Sequence, residues 1–85
     1  MTYMVILSQS AETELGLLEQ RDRNRIILKL DSIKEQPLNY VKHLTGVPLY
    51  SLRVGEYRVI MDIKNKEMVI FIIKVGHRSK VYDNL

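Results

Sequence analysis

The chain has 85 residues, enough for one core built from a few secondary-structure elements and too few for two ordinary domains. Hydrophobic residues at 46% and charged residues at 27% exclude a disordered polymer, and the absence of cysteine excludes disulfide staples and thiolate metal sites. The net charge of +3 is unevenly spread: residues 1–40 carry five basic and six acidic side chains, whereas residues 41–85 carry eight and four, so the positive field belongs to the C-terminal half. Such a field attracts nucleic acid or an acidic partner, or serves only to keep the surface soluble.

Met1–Leu7 lacks the basic start and long apolar stretch of a secretory signal, and the most apolar run, Met68–Ile73, falls far short of the ~20 residues that span a bilayer. The expectation is a cytoplasmic protein without membrane association. Thr2–Leu7 (TYMVIL) is short and rich in β-formers, which predicts a strand. Ser8-Gln9-Ser10 supplies helix-capping residues, and Ala11, Leu15 and Leu18 then recur at i, i+4 and i+7 with Leu17 beside them, which predicts an amphipathic helix. Arg21-Asp22-Arg23-Asn24 interrupts this pattern, with Asp22 as the cap of a second helix that carries Ile26, Ile27, Leu30 and Ile33. Gln36-Pro37 ends it, because the residue before proline is pushed out of helical geometry and proline donates no hydrogen bond. Two helices joined so briefly predict an antiparallel helical hairpin with one apolar side.

Leu38–Pro48, with Gly46 and Pro48, reads as a loop, and it carries Lys42 and His43. Leu49–Val54, Gly55-Glu56 and Tyr57–Ile63 read as a hairpin closed by a type II′ turn, because the first linking residue is glycine. That register sets Val54 opposite Tyr57 and Arg53 opposite Arg58, so two like charges share one face. Tyr50, Leu52, Val54, Tyr57, Val59, Met61 and Ile63 make the other face apolar, and the helices should cover it. Lys64-Asn65-Lys66-Glu67 forms a second turn, followed by the nearly continuous apolar strand Met68–Val75, which predicts a central position with Phe71 or its neighbours lining part of the open face. Gly76 should end that strand, with His77-Arg78 next and Val81-Tyr82 as a short last strand or extended tail. The expected fold is α+β: an N-terminal strand and an antiparallel helical hairpin packed on one face of a small, mainly antiparallel sheet. The sequence holds no P-loop, no HExxH, no dinucleotide fingerprint and no internal repeat.

The run from Leu44-Thr45-Gly46 through Leu49–Gly55 (LYSLRVG) and Tyr57–Ile60 (YRVI) to Val75–Arg78 (VGHR) and Val81-Tyr82 is similar to the RelE branch of the RelE/ParE toxin superfamily. In element order the resemblance covers residues 1–85 as a single RelE-like domain. It implies the toxin of a type II toxin–antitoxin system, an endoribonuclease that cuts mRNA in the ribosomal A site by attack of the substrate's 2′-hydroxyl on the adjacent phosphate. It further implies no metal or organic cofactor, and as partners a RelB-like antitoxin, mRNA and the ribosome.

By the same resemblance, Arg58 and Arg78 match the two active-site arginines and Tyr82 the C-terminal tyrosine, while Arg53 falls at a position that is usually basic. A planar, permanently charged guanidinium suits phosphate oxygens on which charge accumulates, and a tyrosine ring can stack on a splayed base. Ser51 stands where some relatives carry a lysine, Met61 replaces a common aromatic, and guanidinium is a poor proton-transfer group. His77 is therefore the candidate to share acid–base work with Tyr82. Arg53, Ser51, Lys42, His43 and Lys80 complete the expected RNA-binding set. Two other readings stay open: a ParE-like toxin that inhibits DNA gyrase by binding, and a non-catalytic nucleic-acid-binding module that uses the basic face alone.

Overall fold

The computed structural model describes residues 2–83. Met4–Leu7 forms β1, Gln9–Gly16 α1 and Gln20–Ser32 α2; a 3-10 turn at Pro37–Asn39 leads to β2 (Lys42–His43), β3 (Tyr50–Val54), β4 (Tyr57–Lys64) and β5 (Val69–His77). These strands make one five-stranded sheet in the order β1-β5-β4-β3-β2, with β1 parallel to β5 and the other neighbours antiparallel. The expected α+β architecture is present, and the apolar β5 runs between two strands. Among the described residues no helix is long and apolar enough to cross a membrane.

The first helix starts where the sequence places a cap. Ser8 is extended and its Oγ accepts from Ala11 N–H at 3.0 Å, and the same hydroxyl donates to the Ile73 carbonyl at 2.9 Å, so the cap also ties α1 to β5. The break between helices lies at Leu17–Glu19 and not at Arg21–Asn24. Leu17, counted with the apolar stripe, is 81% exposed, and helix α1 has already stopped at Gly16. Asp22 is not a cap: Glu19 holds that position without a side-chain bond, and Asp22 sits in the first turn of α2, where its charge favours the helix dipole.

Ala11, Leu15, Ile26, Leu30 and Ile33 from the helical layer pack on Leu52, Val54, Val59, Met61, Ile63, Ile70, Ile72 and Val75 from the sheet, all buried. At about 1.5–3 kcal/mol for each fully buried aliphatic side chain, this layer supplies most of the stability. Helix α1 lies along β5 and α2 faces β3. Where β1 stops, α1 takes over the free edge of β5: Val75 N–H donates to Glu14 Oε1 at 3.0 Å, and Lys74 Nζ lies 3.4 Å from Glu14 Oε2.

Three features depart from the sequence reading. Leu38–Pro48 is not wholly loop, since Lys42 and His43 pair with Ser51 and Tyr50; a two-residue strand is too short to leave a period. Strand β5 runs through Gly76 to His77. Val81-Tyr82 is not a strand, because both edges of β5 are already used; residues 78–83 instead fold back as turns, with Lys80 and Val81 N–H donating to the His77 carbonyl. Val81 is buried against Gly76, where an added Cβ would lie 3.3 Å from the Val81 Cβ. Strand β5 also carries a bulge, for Ile60 pairs with Lys74 but Met61 with Ile72.

Candidate active site

The basic residues gather on the sheet face turned away from the helices. Gly55 has φ +60°, and Glu56 is not among the described residues with positive φ, so the two-residue link is the type II′ turn and the register follows from it. Arg53 pairs with Arg58 and Arg58 with Gly76, making one row across the sheet. The next row is Lys42, Ser51, Ile60 and Lys74, and beyond it lie Asp62, Phe71 and Ile6. Phe71 thus lines part of the open face, which decides between it and its neighbours.

The turns after β5 bring Tyr82 back over this surface. Its hydroxyl donates to Ser51 Oγ at 3.2 Å, and the Arg58 Cζ lies 5.9 Å from the ring centroid, within cation–π range. Ser51 is 3% exposed, and Ile60 and Val81 are buried although neither belongs to the helix-side core. Ile60 is the register partner of Ser51 and so floors this part of the face, above which Tyr82 is 41% exposed. Arg78 is exposed, and its N–H donates to the Glu56 carbonyl at 2.8 Å, which continues the ladder one step. Residue 78 is the first of the turn that follows β5. Lys80 is exposed in the following turn.

The two histidines lie elsewhere. His77 pairs with Tyr57, which packs toward the helices, and the two rings make an edge contact at 5.9 Å. Its Nε2 is 3.7 Å from Glu56 Oε2, and its Nδ1 accepts from Ser79 N–H at 3.2 Å. Counted strictly from Ile72, His77 would share a face with Arg58; the bulged residue reverses that parity. His43 packs edge-on to Tyr50 at 5.1 Å, on the helix side as well. Around His77 the helix-side rim is acidic. Desolvation raises the Tyr57 phenol above its ordinary value, and the Asp22 carboxylate, which accepts from Tyr57 Oη at 3.4 Å, adds to the rise.

Of the residues expected at a site, the sheet thus collects Arg53, Arg58, Ser51, Lys42 and Tyr82 on one face, with Arg78 in the turn that follows β5, and leaves His77 and His43 on the other. Ile60 and Val81, which floor the site, were not anticipated. Their signal was present: Ile60 is an apolar residue between Arg58 and Asp62 on the polar side of β4, and such a residue needs a cover. Among the described residues no group of three or more His, Cys, Asp or Glu side chains is placed to hold a metal ion.

Residues 5–82 match the family described as ParE toxin of type II toxin-antitoxin system, parDE. The chain is 30% identical over 87 residues to the mRNA interferase toxin RelE of Escherichia coli (strain K12), an alignment that covers 96% of this chain and 92% of that protein. A chain of the archaeal RelE–RelB complex from Pyrococcus horikoshii OT3 superposes with a TM-score of 0.80 at 30% identity, covering 95% of this chain and 100% of that one. The intact E. coli RelBE toxin–antitoxin complex gives 0.74 at 28% identity over 88% and 95% of the two chains. With a family match along nearly its whole length and relatives of the same fold at this identity, the chain belongs to the RelE/ParE family of type II toxin–antitoxin toxins.

Proposed function

We propose that this toxin is an endoribonuclease that cuts messenger RNA on its open sheet face, acting in the ribosomal A site in the cytoplasm. The observation that carries this reading is the assembly of Arg58, Ser51 and Tyr82 on one face of the sheet. The substrate's 2′-oxygen attacks the adjacent phosphorus as the bond to the 5′-oxygen breaks. The 2′-hydroxyl gives up its proton, the leaving 5′-oxygen gains one, and the products are a 2′,3′-cyclic phosphate and a 5′-hydroxyl. Arg58 and Arg78 stabilise the charge that builds on the non-bridging oxygens. Tyr82 offers its ring to a base, and it is the proposed proton-transfer group that lies on this face, His77 being turned to the acidic rim.

A RelB-like antitoxin is the proposed partner, in keeping with the antitoxin complexes in which relatives were solved. The test is cutting of message on programmed ribosomes. Purified protein should leave 2′,3′-cyclic phosphate ends, and Arg58→Ala or Arg78→Ala should lower the rate at least ~100-fold with the melting curve unchanged. The family match to ParE favours one other reading, a toxin that acts on DNA gyrase by binding. Intact message together with inhibited gyrase would select it.

A further inference from the structure

A cleft of about 440 Å³ opens between α2 and the β3–β4 turn, lined by Arg25, Lys29 and Ser32 from the helix and by Arg53 and Gly55 from the hairpin. The Arg25 guanidinium lies flat against the turn, for a Cβ added at Gly55 would stand 3.0 Å from both of its terminal nitrogens. On the same turn, Arg53 Nε donates to the Gly55 carbonyl at 3.3 Å. One glycine turn therefore holds two guanidinium groups. Lys29, also on the cleft wall, has its Nζ 5.5 Å from the centre of the Tyr40 ring.

Among the described residues none of these three cations has a carboxylate partner. The ion pairs among the described residues are Lys34–Asp31, Lys64–Asp62, Lys74–Glu14 and His77–Glu56. Arg21, Arg25 and Lys29 also follow one another at spacings of four along α2, where like charges oppose the helix. Collected positive charge that folding does not neutralise, and that weakens the helix carrying it, marks a place for an anion. Guanidinium forks suit the oxygens of a phosphate.

We propose that this cleft is a second RNA site, outside the cutting surface, in which a backbone phosphate is held by Arg25, Lys29 and Arg53. The proposal rests on the RNA-cutting function above. It sets Arg53 on a phosphate that flanks the scissile one: its Cα stands opposite Arg58, but its side chain is turned to Gly55. Arg53 thereby joins the two sites, and a strand lying across Arg58 passes directly into the cleft. That continuity favours RNA over an acidic peptide as the occupant.

The phosphate belongs either to the strand being cut or to ribosomal RNA, and two probes separate these sources: an uncuttable 2′-O-methyl RNA oligonucleotide and vacant ribosomes. Affinity for each is measured against salt for the wild type, Lys29→Gln and Arg25→Gln/Lys29→Gln. The double variant should weaken binding roughly tenfold near 0.1 M salt, and for the oligonucleotide the log–log slope should become shallower by up to ~0.7, the value for one lost phosphate contact to a single strand. Lys29→Gln, which leaves the Arg25–Gly55 contact in place, should give about half that change in slope and keeps the test readable if the double variant unfolds. A change with the oligonucleotide assigns the phosphate to the cut strand, and one with ribosomes alone assigns it to ribosomal RNA. Unchanged slopes in variants of a wild type that does bind would overturn the cleft and leave the nuclease function standing. A wild type that binds neither probe would overturn both. Loss of binding to a poly-glutamate peptide, with RNA affinity intact, would make the cleft a peptide site and sink the proposal.

Discussion

On the helix side of the sheet, Val59, Met61, Ile63, Ile70 and Ile72 interlock with α1 and α2 and are buried to 7% exposure or less. On the other side, the same strands set Arg53 against Arg58 and lean Tyr82 on Ser51. The first face gains stability from each residue it buries, whereas the second keeps a like-charge pair that cross-strand energetics disfavours. Stability and chemistry are thus divided between two sides of one backbone, and the well-packed side allows the other to hold groups that folding alone would not select.

The division is broken most severely from the packed side. Ile72→Ala should lower the unfolding free energy by about 2–5 kcal/mol while the protein that remains folded cuts RNA at the normal rate, as read by denaturant titration beside single-turnover cleavage. A slowed cut in the folded fraction would show that the two faces are coupled. Ser51→Ala tests the open side: the lost bond to Tyr82 is worth about 0.5–1.5 kcal/mol at most, yet cutting should fall severalfold because the ring is no longer held. Tyr82→Phe should be slower still if its hydroxyl carries a proton, and equal to Ser51→Ala if the hydroxyl only fixes the ring. The smallest effect is expected from Arg53→Gln, which removes the like-charge pair and should leave stability equal or higher by a few tenths of a kcal/mol. A clear loss of stability there would mean that the Arg53–Gly55 bond is structural.

The sequence makes legible whatever rests on local chemistry. Gly55 as the first of two linking residues sets the turn, the turn sets the register, and the register places Arg53 opposite Arg58. Ser8 opens the helical region, but α2 stops at Ser32, four residues before Gln36, and Pro37, whose fixed φ suits a first helical position, begins the 3-10 turn instead of closing the helix. What stays hidden depends on distant parts of the chain. Leu17 fits the apolar period, but it points to solvent because α1 ends one residue earlier. Lys42-His43 becomes a strand only because β3 offers an edge. For His77, residue type pointed to acid–base chemistry while its face was decided by the bulge in β5, whose one mark in the sequence is Lys74, a charge at the same parity as the buried Ile70 and Ile72.

That bulge makes a counting rule out of chemistry. Everything after it is assigned to a side of the sheet by the number of residues that precede it, so deleting Val75 would carry His77 to the position beside Arg58. A single-codon length change could thereby bring a titratable group to the RNA surface, while Ile70 and Ile72 keep their partners. In evolutionary terms, the short stretch from Lys74 to Gly76 is a place where chain length alters the chemistry of this toxin, at the cost of one core side chain, Val75, whose place Gly76 would take.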